Sequence, residues 1–213
     1  MLDNVKRYIN EVVPTIEQEH VFSAEKGDSE TIFRLEILDV YDDWFDRLNH
    51  DDRVTSLIKK LLEDELVYQG VARFGKLPHG GEAPPPHQDG YYHKLTPSEA
   101  ITCWIPLDPV DTENGCIRYI PGSHREAVRD HVVGETFGFS LGIEDLTQED
   151  LEREVAIEAS PGDLILHHSL MIHRADANNS DRQRRAIGLV YFAQLAKEDT
   201  EAVRAHDSKI KEH

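Results

Sequence analysis

Apolar residues recur at helical spacing along the first third of the chain. The pattern predicts helices over residues 3–13, 41–48 and 51–62, and Pro14 ends the first of them. The third helix has Asp51 or Asp52 as its N-cap, and its apolar residues fall on one stripe: Val54, Leu57, Ile58, Leu61 and Leu62. Residues 1–65 are therefore expected to form a helical N-terminal segment.

From about Leu66 onward the pattern changes to short apolar runs separated by Gly, Pro, Asn and Asp. These runs predict strands over residues 66–74, 100–107, 116–120, 155–159, 163–170 and 185–192. The turn sequences at 113–115, 121–123 and 161–163 mark corners between them. Short strands joined by such turns indicate an all-β sandwich or barrel, so the fold class is expected to be mainly β, with a core over residues 66–196.

Two further segments interrupt or follow this core. The connection from 125 to 154 is long for a compact domain, which favours a lid or binding insert. Residues 197–213 are polar and are expected to form a helical tail. A chain of 213 residues has the size of one domain, so 1–213 is interpreted as a single unit.

Charge narrows the classes of partner. The chain has 23 Lys and Arg against 41 Asp and Glu, a net charge of −18, and such a field repels nucleic acid and anionic membranes. A small-molecule partner is favoured instead, for a monomer or homodimer. Cys103 and Cys116 lie in apolar runs without pairing motifs, and no signal peptide or membrane segment is evident, so a cytoplasmic protein is expected.

The first candidate for chemistry is the pair His87 and Asp89. On a strand, residues two apart share a face, so an imidazole and a carboxylate at this spacing can bind one metal ion. The pair is a weak signal alone, because His50 and Asp52 show the same spacing within a predicted helical region. A solvated pair at a strand end is the simpler interpretation of the isolated motif.

A second candidate is the strand and turn that carry His167, His168 and His173. Two histidines and one carboxylate on one face of an octahedron leave three positions open for a co-substrate and dioxygen. A histidine from this segment can join His87 and Asp89 only in a fold that brings distant strands together, as jelly rolls do.

A third candidate is Arg184, at the start of the last core strand. Ala186 and Gly188 follow on its face, and their small side chains are expected to leave a gap that suits a carboxylate held by the guanidinium. The competing interpretation is that Arg182, Arg184 and Arg185 are ordinary turn residues of an acidic protein and bind no ligand.

Taken together, three motifs resemble the phytanoyl-CoA dioxygenase family of Fe(II)- and 2-oxoglutarate-dependent oxygenases: HQDGYY at 87–92, NGCIRYIPGSHR at 114–125 and PGDLILHHSLMIHRADANNSDRQRRA at 161–186. The resemblance implies a double-stranded β-helix, a cupin-like jelly roll with N-terminal helices packed on it. It also implies iron held by His87, Asp89 and His173, with Arg184 binding the distal carboxylate of 2-oxoglutarate. His168 is then expected to be structural. Members commonly begin with a helix and strand around an Asp-Gly-aromatic motif, and nothing like it precedes Val5.

Further residues are candidates for contacts within such a site. Four are assigned to the co-substrate because pairs of them share a strand face: Gln69, Arg73, Thr102 and Trp104. Trp104 is equally compatible with core packing. Five are assigned to the substrate, together with the 125–154 insert: Tyr91, Tyr92, His93, Arg118 and His124.

The resemblance predicts an oxidoreductase that uses Fe(II), 2-oxoglutarate and O2, hydroxylates an unactivated C–H bond of a small polar or anionic metabolite, and releases succinate and CO2. Halogenating relatives lack the carboxylate ligand, so the presence of Asp89 favours hydroxylation, or a related desaturation or cyclisation. The alternative is a non-catalytic metal-binding jelly roll that holds zinc or nickel. Arg184 and its gap argue against it, since a metal-binding module needs neither.

Overall fold

The computed structural model describes residues 1–80, 83–133 and 141–201, which form mainly antiparallel sheets with some helices. The helices are α1 (Leu2–Arg7), α2 (Leu38–Tyr41), α3 (Asp43–Asn49), α4 (Asp52–Leu62), α5 (Asp89–His93) and α6 (Gln148–Glu152). The strands are β1 (Val21–Ser23), β2 (Ile32–Leu35), β3 (Leu66–Lys76), β4 (Leu95–Thr96), β5 (Ala100–Pro106), β6 (Ile117–Tyr119), β7 (His131–Val133), β8 (Leu141–Ile143), β9 (Val155–Ile157), β10 (Ile165–His168), β11 (His173–Ala175), β12 (Arg184–Ala193) and β13 (Lys197–Glu198).

The N-terminal helices follow the apolar pattern, and side chains cap the starts of α3 and α4. α1 continues into a wide helical turn at Tyr8–Val12, which matches the predicted first helix. The predicted second helix, 41–48, corresponds to α3, which starts two residues later because the Asp42 side chain accepts a hydrogen bond from the Trp44 N–H (3.0 Å) and caps it. The short helix α2 before it was not predicted. α4 begins after Asp51, whose carboxylate caps it in the same way.

The N-terminal segment is not only helical, which corrects the sequence-based expectation. β1 and β2 lie within residues 1–65 and extend the large sheet, whose order is β1-β2-β3-β12-β5-β10. These strands have three and four residues, too few to show a period-two pattern in the sequence. β2 pairs with β3 and β1 pairs with β2, so their place in the sheet comes from this pairing rather than from a local signal.

The large sheet has two different faces, and β12 at its centre shows both. Ile187, Leu189 and Tyr191 point to a core shared with the N-terminal helices. Ala186 points the other way and packs with Trp104 against Tyr119 and other residues of the second sheet, ordered β11-β6-β9. The face that carries Ala186 is therefore the one that turns toward the small sheet.

The expected insert and tail are only partly within the described residues. The 125–154 connection contains the β7–β8 pair and α6, while residues 134–140 lie outside the described residues. Lys197–Glu198 pairs with β4 as a strand, which corrects the expectation of a helix there, and 202–213 also lie outside. Among the described helices, none is long and apolar enough to cross a bilayer.

Candidate metal centre

A backbone bridge joins the two histidines of the candidate ligand set. The His87 N–H donates to the His173 carbonyl (2.9 Å), and the His173 N–H donates back to the His87 carbonyl (3.0 Å). Asp89 is not on a strand as expected, because α5 begins at this residue. The carboxylate still converges on the histidines, since Gln88 is extended before the helix starts.

Three side chains meet in a cluster with metal-ligand geometry: His87, Asp89 and His173. Their ligand atoms all lie within 4.8 Å of one another, and Asp89 Oδ1 is 3.7 Å from the Nε2 atom of each histidine. His87 Nδ1 is 2.8 Å from the Pro85 carbonyl oxygen, and His173 Nδ1 is 3.0 Å from that of Met171. A carbonyl only accepts, so each Nδ1 carries the proton and each Nε2 presents its lone pair to the centre.

The charges of this cluster suit a cation. Burial lowers the pKa of His173 to about 3, with a smaller contribution from neighbouring His87, so its imidazole is neutral at physiological pH. Burial alone would raise the pKa of Asp89, but His173 and a hydrogen bond from His167 outweigh it and hold that pKa well below its usual value. An ionised carboxylate beside a neutral imidazole is the form in which these residues bind a divalent metal.

Arg184 lies on the same face of the large sheet as this cluster. It is 5% exposed, its Nε has no hydrogen-bond partner, and it forms no ion pair among the described residues. Its guanidinium lies over the Trp104 ring, 5.4 Å from the centroid. Burial lowers its pKa to about 10, so it stays charged at neutral pH. A buried cation without a counterion is unfavourable, and an anionic ligand would compensate it.

A second cation lies beside Arg184. Lys76 is its register partner on β3, is 4% exposed, and donates a hydrogen bond to the Asp176 carbonyl. Burial, and after it the charge of Arg184, lowers the pKa of Lys76 to about 7. This end of the site is therefore positively charged, which fits an acidic ligand.

The expected gap above Ala186 and Gly188 is not there. Ala186 is completely buried, and a Cβ at Gly188 would lie 2.8 Å from Cε2 of Phe74. Phe74 lies on β3 and occupies the space next to Gly188. The sequence of β12 alone cannot show that a side chain from another strand fills this space. Trp104, rather than a gap, is the neighbour that the structure places against the Arg184 guanidinium.

Two of the four residues assigned to the co-substrate reach this site. Thr102 donates a hydrogen bond to Asp89 Oδ2 (2.6 Å), and Trp104 follows on the same face. Arg73 points to the opposite face, where it pairs with Ile187 and donates to the Ile32 carbonyl. Gln69 is exposed at a β-bulge, where it has no partner on β12. These positions correct the expectation that Gln69 and Arg73 contact the co-substrate.

The five residues assigned to substrate are spread over three environments. Tyr92 is next to the cluster, with its ring centroid 6.0 Å from that of His87, while Tyr91 stacks on His131 (4.1 Å). His93 packs on Phe192, and the His124 ring lies 6.2 Å from that of His168. Arg118 is already engaged, since its Nε is 2.5 Å from an Asp176 carboxylate oxygen. Of the five, Tyr92 is the one shown beside a candidate ligand.

Gln88, between the first two candidate ligands, was not recognised from the sequence as a site residue. Its side chain is fully buried, with the amide donating to the Leu170 carbonyl (2.8 Å) and the amide oxygen accepting from the Arg129 N–H (2.8 Å). Its own N–H donates to His131 Nε2 (3.0 Å). The sequence did offer one indication, because Gln88 is a polar residue between two candidate ligands. These bonds fix the backbone that carries His87 and Asp89.

Arg34 on β2 was likewise not recognised from the sequence as a site residue. It pairs with Phe74 in the sheet, lies over the Phe74 ring (5.8 Å) and has a buried Nε without a partner. Its terminal nitrogen is 2.5 Å from Glu36. The position of Arg34 could not be predicted from the sequence, because β2 itself was not predicted.

Acidification is expected to destabilise the metal-free protein through His131. Burial lowers the pKa of His131 to about 4, against an ordinary value near 6.5 in the unfolded chain. Between these pH values the unfolded chain binds more protons than the folded protein does. The contribution of His131 to the free energy of unfolding is therefore complete above pH 6.5 and is lost as pH falls toward 4. It amounts to roughly 1–3 kcal/mol. Urea unfolding at several pH values, with a chelator present, measures it.

His131→Gln is the matched variant for this prediction, because an amide keeps hydrogen-bonding capacity but does not titrate. Its free energy of unfolding should depend less steeply on pH than that of the wild type. Equal slopes in the two proteins would contradict the assignment to His131.

Comparison with protein families places these motifs in a known group. A family model described as phytanoyl-CoA dioxygenase (PhyH) matches residues 1–186. Phytanoyl-CoA dioxygenase domain-containing protein 1 from Bos taurus is 32% identical over 154 residues, which are 70% of this chain and 53% of that protein. The chain therefore spans about half the length of the curated relatives it matches.

Solved structures share the fold. The epimerase SnoN, crystallised with Fe3+, alpha ketoglutarate and nogalamycin RO, superposes with a TM-score of 0.72 at 22% identity, covering 92% of this chain and 74% of its own. EvdO2 from Micromonospora carbonacea var. aurantiaca gives a TM-score of 0.73 at 23% identity, covering 93% and 83%. At such identities the similarity concerns the architecture alone.

Proposed function

The chain belongs to the phytanoyl-CoA dioxygenase family, and on that basis we propose that it is a 2-oxoglutarate-dependent non-haem iron dioxygenase. We infer a double-stranded β-helix that forms a single oxygenase domain. The packing of the small sheet on one face of the large sheet supports this architecture, as does the likeness to SnoN and EvdO2.

The observation that carries the proposal is that Arg184 is buried with no ion pair among the residues that the structure describes, on the same sheet face as the His87, Asp89 and His173 cluster. Thr102 contacts Asp89, and Trp104, two residues along the same strand, contacts Arg184. Residues two apart on a strand are about 7 Å apart. A five-carbon dicarboxylate could therefore reach from the metal cluster to the cation.

His87, Asp89 and His173 would hold Fe(II), as facial coordination leaves positions open for 2-oxoglutarate and dioxygen. When bound, iron with these co-substrates would supply the oxidising power that breaks a C–H bond, with release of succinate and CO2. Arg184 would bind the distal carboxylate of 2-oxoglutarate, and the Trp104 ring would form a wall beside it. The buried surroundings keep water from this contact and strengthen it.

The substrate proposed is a small polar or anionic metabolite, hydroxylated at an unactivated carbon. Tyr92 would form an aromatic wall near His87. The retained carboxylate of Asp89 favours hydroxylation over halogenation. A non-catalytic metal-binding module is not favoured, because it gives no reason to bury Arg184, for which the described part of the chain supplies no counterion.

An anaerobic titration tests the proposal. Adding Fe(II) to the metal-free protein and then 2-oxoglutarate is expected to produce the weak visible charge-transfer band of a 2-oxoglutarate chelated to iron. Succinate, which lacks the keto oxygen needed for chelation, should produce none. Metal binding without a band at any 2-oxoglutarate concentration would rule out the proposed co-substrate.

A further inference from the structure

The two oxygens of the Asp89 carboxylate lie in different surroundings. Oδ1 faces the Nε2 atoms of His87 and His173, at 3.7 Å from each. Oδ2 points away from them, accepts the Thr102 hydroxyl (2.6 Å) and lies 3.1 Å from His167 Nε2. One oxygen is thus presented to the candidate metal position, while the other is occupied by two protein groups.

Sheet register brings these two groups to the same oxygen. Thr102 on β5 and His167 on β10 are direct partners in the large sheet, so their side chains stand together on one face. His167 is 5% exposed, so its imidazole needs partners within the protein. The arrangement is built into neighbouring strands rather than into a loop.

A buried tyrosine completes the chain of hydrogen bonds. The Tyr119 hydroxyl lies 2.8 Å from His167 Nδ1, and Tyr119 is itself the register partner of His173 on the small sheet. Asp89 ionised is an acceptor only, so His167 must donate through Nε2, and its Nδ1 must then accept from the Tyr119 hydroxyl. Asp89 thus selects the tautomer of His167 that donates through Nε2, and the Tyr119 hydroxyl supports this tautomer by donating to its Nδ1.

This chain bears on how the carboxylate can bind. A carboxylate with both oxygens free can occupy two coordination positions, whereas a facial site with room for a bidentate co-substrate and dioxygen can give it only one. Groups that hydrogen-bond to metal ligands orient them in this way. We infer that His167, held by the Tyr119 hydroxyl in the tautomer that donates to Asp89, is a positioning residue that acts with Thr102 to restrict Asp89 to coordination through Oδ1. The inference rests on the proposed iron site.

His167→Phe removes both hydrogen bonds while keeping a ring of similar shape. The Fe(II) dissociation constant, measured anaerobically by competition with a coloured chelator, is expected to rise by about 10–100-fold. The 2-oxoglutarate concentration needed for half of the visible band should rise as well, because a bidentate Asp89 would take a position that the co-substrate needs. His168→Phe is the matched control: His168 is the next residue, pairs with Glu99 instead, and should leave Fe(II) affinity within about two-fold of the wild type.

Two further variants separate a positioning role from a purely structural one. His167→Gln can place an amide N–H toward Asp89 and should recover part of the lost Fe(II) affinity. Tyr119→Phe removes the hydroxyl and should weaken Fe(II) binding less than His167→Phe does. In the double variant His167→Phe with Tyr119→Phe, the loss should equal that of His167→Phe alone, since the tyrosine acts through the histidine.

The outcomes distinguish this inference from the proposed function. If the wild type binds no Fe(II), the proposed iron site fails. If the wild type binds Fe(II) and both His167→Gln and His167→Phe bind it equally well, His167 does not position Asp89. Should His167→Phe fail to fold, as judged by thermal unfolding, Tyr119→Phe decides the matter: unchanged affinities for both Fe(II) and 2-oxoglutarate would overturn the inference.

Discussion

Replacing His173 by alanine is expected to abolish the visible band that the wild type forms with Fe(II) and 2-oxoglutarate, and with it succinate release. His173 would supply one of three ligands, and its Nε2 lone pair faces the centre because its Nδ1 donates to Met171. The loss of a direct ligand should exceed that of a supporting group, so Fe(II) affinity should fall by more than about 100-fold. Competition with a chelator under anaerobic conditions measures it.

His168→Ala provides the control for this variant. It removes the same side chain from the same segment, but His168 lies 3.2 Å from Glu99 rather than at the cluster. Its Fe(II) affinity should match that of the wild type. Equal losses in the two variants would point to general destabilisation of the segment, and an intact band in His173→Ala would remove His173 from the ligand set.

Arg184→Met is expected to weaken 2-oxoglutarate binding by about 100-fold while leaving Fe(II) affinity nearly unchanged. Removing one partner of a buried, charge-assisted hydrogen-bonded pair typically costs about 2–5 kcal/mol of binding free energy. A 100-fold loss of affinity corresponds to roughly 2.7 kcal/mol. Methionine keeps most of the packing against Trp104. The concentration of 2-oxoglutarate at half of the maximal band gives the affinity.

A second measurement on Arg184→Met separates a binding role from a structural one. Because Arg184 has no ion pair among the described residues, its removal should stabilise the metal-free protein or leave it unchanged. Arg185→Met is the matched control: its guanidinium is held by Asp108 (2.6 Å), and its loss should not affect 2-oxoglutarate binding. A destabilised Arg184→Met with normal 2-oxoglutarate affinity would show that Arg184 has a structural role instead.

Much of the architecture could be predicted because its signals are local. The apolar runs of β3, β5, β10 and β12 follow periods that each segment imposes on its own residues. The stripe predicted for α4 is only partly correct, because Val54, Ile58 and Leu62 are buried while Leu57 and Leu61 are exposed. β1 and β2 were not predicted, because strands of three or four residues are too short to show a periodic pattern. α5 was not predicted, because it begins within a segment that was expected to be extended. These elements depend on what they pack against.

The candidate site divides in the same way. His87, Asp89, His173 and Arg184 were identified because their side-chain chemistry and order along the chain resemble those of the family, and the structure brings the first three into one cluster. Gln69 was misassigned because strand alternation fails at a bulge, where one extra residue changes the face that follows. Arg73 lies on the helix-facing side, which its spacing from Gln69 could not reveal.

The mainly β core, the residue types of the cluster and the family could all be predicted without a structure, because they depend on local periodicity and residue identity. Three features became visible only in the folded protein: Phe74 occupies the space at Gly188, Arg184 is buried without a counterion among the described residues, and His167 links Tyr119 to Asp89. Each of these depends on register between strands that are distant in the chain. A side chain's partners are set by the residue opposite it, and no local pattern records which residue that is.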